Sequence, residues 1–231
     1  MFENFFGRFL TQFVYGGGYK LLLDGLWVTI VLALAGLVIG IAIGVLVAVL
    51  RVLPQDRFLF RILSWVAIAY ITVIRGVPLA VLLLLGYYGI LAPLNWPPLV
   101  AGILIFGINS SGYVAEIVRS GIQSVDKGQM EAGRSLGLSH GATMKKIVLP
   151  QAIKNILPAL GNEWIVLIKE TSVAGFITIY ELTRAGRAIV ANYYDALVSY
   201  TVLACVYLVL VIIVTYFVGL LERRMRKSDN R

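Results

Sequence analysis

Residues Glu131–Pro150 read EAGRSLGLSHGATMKKIVLP, a polar, basic stretch inside a chain that is otherwise strongly apolar. Glu131-Ala132-Gly133 is followed by Gly137, and further on by Ile147, Leu149 and Pro150. This spacing predicts a helix, a sharp turn and a second helix. Gly133, Gly137 and Gly141 supply backbone freedom that a Cβ would remove. Ser139 is placed to cap the second helix, and Pro150 to close it. With Arg134, Lys145 and Lys146 exposed, such a hairpin between apolar runs is a docking surface. Its candidate contacts are Glu131, Ala132, Gly133, Arg134, Leu136, Gly137, Leu138, Ser139 and Pro150.

Outward from this stretch the chain is built for a bilayer. Of its 231 residues 59% are apolar and 14% charged, which excludes an ordinary soluble domain. Apolar runs predict an all-α integral membrane protein of five spans, at about 25–50, 62–88, 97–118, 156–179 and 196–221. They make one domain over 22–221, preceded by a segment 1–20 and followed by a basic tail 222–231. The net charge of +8 lies in loops between spans rather than on one soluble face, so membrane lipid and not nucleic acid is the expected partner. A single cysteine, Cys205, excludes an internal disulfide and a cysteine-based metal cluster.

Phe2, Phe5, Phe6, Phe9 and Phe13 recur near helical spacing and predict an amphipathic segment on the membrane surface. It lacks the basic start and clean apolar core of a cleaved signal. In the first span Gly36, Gly40 and Gly44 fall on one face and allow close helix approach. The loop Arg51–Arg61 is predicted to turn at Pro54. Lys and Arg are unevenly shared: 14 lie in the first loop, the third loop and the tail, against Arg8, Lys20, Arg184 and Arg187 on the other side. The Glu131 loop and the C-terminus are therefore expected in the cytoplasm and the N-terminus outside.

Several polar residues are expensive where they stand. Arg75 lies about 20 Å into the second span at 1.5 Å per residue, beside the helix-interrupting Gly76 and Pro78. An intramembrane Arg marks a functional site unless it is paired, here with Glu163 or a backbone carbonyl. Glu163 falls in mid-membrane, Lys169 and Glu170 nearer the outside, and Asn109, Ser110 and Ser111 form a patch in the third span. Together they either line a hydrophilic path for a small zwitterion or form a polar network between subunits. In the first case Arg75 or Lys169 meets a carboxylate, and Glu163 or Glu170 an ammonium. Glu116 and Arg119, three residues apart, are placed for an ion pair.

Enzyme readings fail on composition. GQMEAGRS at 128–135 mimics a phosphate-binding loop but has Arg134 where that motif needs Lys, and no strand precedes it. The lone histidine, His140, sits outside the spans, which leaves no Ser–His pair for intramembrane proteolysis and no metal set with Cys205.

The Glu131–Pro150 stretch resembles the EAA loop, the cytoplasmic coupling loop of the membrane subunits of binding-protein-dependent ABC importers. Arg75-Gly76-Val77-Pro78-Leu79 is similar to the Arg-Gly-x-Pro-Leu signature of the polar amino acid branch (the histidine, glutamine and arginine permeases). The run from Tyr113 through Glu116, Arg119, Gly121 and Ile122 to Gln129-x-Glu131-Ala132 resembles that branch too, as does Lys169-Glu170-Thr171-Ser172. The likeness covers roughly 22–221; it departs at Thr72, where the branch often has Glu, and at Gly133, where the loop has a second Ala. It implies a type I importer transmembrane domain of five helices with a cytoplasmic coupling helix, in the bacterial inner membrane. It implies a second copy or homologous permease subunit, a cytoplasmic ABC ATPase dimer that binds the ATP and Mg, and an extracytoplasmic amino-acid-binding protein. No cofactor is implied for this chain, nor catalysis by it. A stand-alone ion-coupled carrier, which usually shows an inverted repeat, and a lipid-binding scaffold are the competing classes.

Overall fold

Pro78 divides the second apolar run as its chemistry requires. It has no N–H to donate and forces Val77 out of helical conformation, so α3 (Phe58–Gly76) stops and α4 (Leu79–Gly86) starts afresh behind Pro78 at φ −57°, ψ 137°. The structure, a computed structural model, describes residues 3–52 and 58–227; the expected turn at Pro54, Phe2 and the end of the tail lie outside them. All regular structure among the described residues is helical.

The chain begins with α1 (Glu3–Phe9), continues through a π-helical turn (Leu10–Tyr15), and enters α2 (Gly18–Val52). After α3 and α4, a second π turn (Tyr87–Leu91) leads to α5 (Pro98–Gln123). Two short helices, α6 (Lys127–Ser135) and α7 (His140–Thr143), precede a third π turn (Met144–Val148) and α8 (Leu149–Glu170). A 3-10 segment (Thr171–Ile177), α9 (Leu182–Tyr193) and α10 (Ala196–Lys227) complete the order. Among the described residues α2, α3, α5 and α10 are long and apolar enough to cross a membrane. The fourth expected span is the polar exception: α8 carries Pro158, Lys154, Glu163, Lys169 and Glu170 within 22 residues.

By contacts the chain forms two compact units. One comprises residues up to Gly36, Val77–Phe106 and Ile165–Val214. Its core is built from Phe13, Leu22, Leu182, Ala185, Ile189, Val198 and Leu203. The N-terminal segment packs against this core through Phe13, while Phe6 on the same stretch stays exposed. Phe13 is 3% exposed, and the equally buried Gln12 has both amide atoms satisfied. Its Nε2 donates to Asp195 at 2.9 Å, and its Oε1 accepts from Ser199 at 3.0 Å. Arg8 adds an ion pair to Asp195 at 3.1 Å. A buried amide with both ends bonded fixes a position in a way that an aromatic stripe on lipid does not.

The other unit comprises Leu37–Gly76, Gly107–Trp164 and the residues from Thr215 on. Its core holds Ala48, Ile71, Val114, Ala115, Val118, Ala152 and Ile156. The glycine ridge of α2 is used here for close approach. A Cβ on Gly40 would lie 2.8 Å from the Ser110 side chain, and one on Gly44 2.7 Å from Val114 Cβ. That tight seam brings α5 against α2 and buries the polar patch of the third span.

Candidate functional site

The hairpin predicted from Glu131–Pro150 forms, and its turn is specified atom by atom. α6 opens on Asp126, whose side chain accepts the Gly128 N–H at 2.6 Å. It closes on a Schellman turn: Gly137 N–H bonds Arg134 O at 3.0 Å and Leu138 N–H bonds Gly133 O at 3.2 Å. Gly137 stands at φ +83°, the left-handed region that favours glycine. Arg134 Nη1 donates to Leu138 O at 3.2 Å, and the Ser139 Oγ caps α7 by accepting Ala142 N–H at 3.2 Å. The two arms meet at Gly133, where a Cβ would fall 2.4 Å from Thr143 Cγ2. Glu131, Ala132, Arg134, Leu136 and Gly137 are exposed, and Leu136, at 81%, presents an apolar knob at the tip.

Two expectations for the hairpin are corrected. Gly133 and Gly141 sit within α6 and α7, and neither has the positive φ that would use glycine's backbone freedom. Pro150 does not close the second helix: it is the second residue of α8, and α7, the π turn and α8 run on without a break. The wider π turn before it shifts the hydrogen-bond register, so the missing Pro150 N–H is accommodated inside a continuous helical course. Gln151 ties this junction back to α6, its Nε2 reaching Gln129 Oε1 at 3.3 Å and Ile147 O at 3.0 Å.

The same unit gathers most of the intramembrane polar residues. Glu163, 7% exposed, accepts a hydrogen bond from Ser110 Oγ at 2.9 Å. Asn109, Ser110 and Ser111 are all buried. Ser111 Oγ lies 2.6 Å from the Tyr70 hydroxyl and donates to Ile108 O at 2.7 Å. Arg75 ends α3 exposed, its guanidinium 5.2 Å above the ring of Tyr113, a cation–π stack. Packed at Gly112, where a Cβ would lie 3.2 Å from Arg75 Cγ, the side chain is held beside α5. A buried carboxylate, a buried amide and an exposed guanidinium on neighbouring helices are the groups a zwitterion needs.

Lys169 and Glu170 belong to the other unit, at the end of α8, with Lys169 exposed and Glu170 half-buried. The expected Glu116–Arg119 pair is present and larger than the sequence indicated, because Arg51 Nη1 also reaches Glu116, at 2.9 Å. This triad ties the end of α2 to α5. Sequence reasoning missed Tyr70, Tyr113 and Arg51. For Tyr113 the available signal is its four-residue spacing from Asn109 on one helix.

The sequence matches the family described as "Binding-protein-dependent transport system inner membrane component" over residues 36–227. It is 37% identical over 209 residues to the glutamine transport system permease protein GlnP of Escherichia coli strain K12, covering 89% of this chain and 93% of that one. It is 34% identical over 210 residues to the arginine transport system permease protein ArtQ of Bacillus subtilis strain 168, covering 90% and 94%. A chain from the crystal structure of an amino acid ABC transporter with histidines superposes with a TM-score of 0.85 at 41% identity, covering 94% of this chain and 98% of that one.

Proposed function

The chain belongs to the binding-protein-dependent transport system inner membrane components, and from that premise we propose that it forms the amino acid path of an ATP-driven importer. The observation that carries this reading is the hairpin: a capped, tightly packed helix–turn–helix exposing Leu136 and Arg134 to a partner. The partner is a cytoplasmic ABC ATPase dimer, which binds ATP and Mg. Its closure on ATP moves the hairpins of two permease subunits, a second copy or a relative, and turns the path between its inward and outward states. The uneven Lys and Arg distribution supports a cytoplasmic hairpin and C-terminus with the N-terminus outside. An extracytoplasmic binding protein delivers the amino acid.

The relatives named for glutamine and arginine support a polar or cationic substrate. Glu163 would receive its ammonium or cationic side chain, Asn109 would hydrogen-bond it, and Arg75 would take the carboxylate. No nucleotide, metal or other cofactor is assigned to this chain.

Mild-detergent purification from native membranes, with identification of the co-purifying chains and an ATPase assay, tests the proposal. An ATPase is expected to accompany the chain, and its hydrolysis to rise severalfold when an amino-acid-loaded binding protein is added. Isolation of the chain alone, under conditions that preserve other membrane complexes, would overturn the docking role of the hairpin. ATP-independent uptake by the purified chain would replace it with the carrier reading.

A further inference from the structure

After Lys169 and Glu170 the chain leaves α-helical geometry, and the segment that follows is clamped from several sides. The 3-10 stretch Thr171–Ile177 ends at Thr178, at φ +68°, a left-handed conformation that β-branched residues resist. Ile177, Ile179 and Glu181 are all nearly inaccessible. Glu181, 1% exposed, begins α9 and uses both carboxylate oxygens. Oε1 accepts the Arg184 N–H at 2.8 Å; Oε2 accepts the Thr183 N–H at 2.6 Å and the Tyr207 hydroxyl at 3.3 Å. Thr183 Oγ1 lies 2.9 Å from the same hydroxyl, and Thr29 of α2 accepts the Leu182 N–H at 3.2 Å. Tyr88, at the start of the second π turn, donates to Phe176 O at 3.3 Å.

A glutamate is an unusual helix cap, since Ser, Thr, Asp and Asn reach the first-turn N–H groups with less side chain to order. A capping role alone does not call for a carboxylate buried in this way. Burial is the largest influence on it and raises its pKa above the ordinary carboxylate range, against the lowering bonds from Thr183 and Arg184. What the longer side chain adds is reach: the cap of α9 is joined to Tyr207, about three turns into α10. A backbone held against its preference persists only where surrounding contacts over-determine it, and such places concentrate at switch regions.

We propose that Glu181, Thr183 and Tyr207 are positioning residues for transport, a latch that holds residues 171–181, and through them Lys169 and Glu170, in one state of the path. The inference rests on the importer reading, in which Lys169 and Glu170 stand toward the outer end of the path. Release of the latch accompanies opening to the outside. None of the three residues is assigned a contact with substrate.

The test is Tyr207→Phe in the complete complex, reconstituted in proteoliposomes with its ATPase and binding protein. Phenylalanine keeps the ring and removes one hydroxyl, so assembly is retained. A latch worth about one hydroxyl hydrogen bond should shift the two-state balance roughly 3- to 10-fold. ATP hydrolysis without binding protein is expected to rise by that factor, and amino acid carried per ATP to fall. Glu181→Gln, which turns an N–H donor toward the α9 backbone, is expected to act in the same direction and more strongly. Hydrolysis without binding protein and uptake per ATP both at wild-type values in Tyr207→Phe would overturn the latch. So would a parallel fall of uptake and hydrolysis with loss of the assembled complex, the signature of a structural role alone. Absence of ATP-driven uptake in the wild-type complex would instead overturn the importer reading itself.

Discussion

Gly137→Val is expected to abolish most ATP-driven uptake while the chain still reaches the membrane. Gly137 is the left-handed residue of the Schellman turn, at φ +83°, and its N–H and that of Leu138 close the end of α6. A β-branched side chain there costs about 1–3 kcal/mol. The chain can escape that cost only by reopening the turn, which swings Leu136 and Arg134 off the docking surface. Because a Cβ at Gly137 has open space around it, the variant fails through the backbone and not through a clash. Uptake into vesicles should fall by about 5- to 100-fold, since 1.4 kcal/mol is a factor of ten, with membrane content unchanged by immunoblot. Gly137→Asn is the control: asparagine tolerates the left-handed region and should keep a large share of transport. Wild-type uptake in the valine variant would remove the turn from the mechanism.

Glu163→Gln is the second substitution with a large expected effect. The carboxylate is buried and takes the Ser110 hydroxyl at 2.9 Å. Glutamine keeps the volume and can still accept from Ser110, so the helix seam is preserved and the negative charge alone is lost. A hydrogen bond to a charged partner contributes about 1.5–3 kcal/mol, which converts to a 10- to 100-fold loss in uptake at limiting substrate. The loss should appear as uptake that no longer responds to binding protein at normal concentration, while the ATPase remains bound. A Glu163→Gln importer with unchanged uptake across substrate concentrations would assign the residue to packing instead.

The hairpin was legible because its signals are local. Ser139 and Gly137 act through backbone within a few residues, and a cap or a left-handed turn leaves its mark directly in the sequence. Pro150 is ambiguous for a related reason: proline commonly stops a helix, and only the π turn before it shows that the helix continues through it. The interruption at Arg75–Pro78 was equally plain.

Residues whose meaning depends on distant partners were not legible. Gln12 meets Asp195 and Ser199 across more than 180 residues, and nothing in the phenylalanine spacing of α1 announces a buried amide among them. Glu181 carries no local signal for its second role, which requires Tyr207. Arg51 was counted as one of the cytoplasmic cations, and its bond to Glu116 could not be seen without the packing of α2 on α5. The glycine ridge predicted a close approach but not that Ser110 would be the residue approached.

The unbroken helical course from His140 to Glu163 has a mechanical consequence. About two dozen residues at 1.5 Å each make a rod on the order of 35 Å long, with the hairpin at one end and Glu163 at the other. Rotating such a lever by about 5° displaces its far tip by about 3 Å, a hydrogen-bond length. In the proposed importer, a push at the hairpin would reach the Glu163–Ser110 bond through this helix. In such an importer the stroke and the grip on substrate would share one piece of helix, and shortening it by a turn would change the gearing before it changed the chemistry.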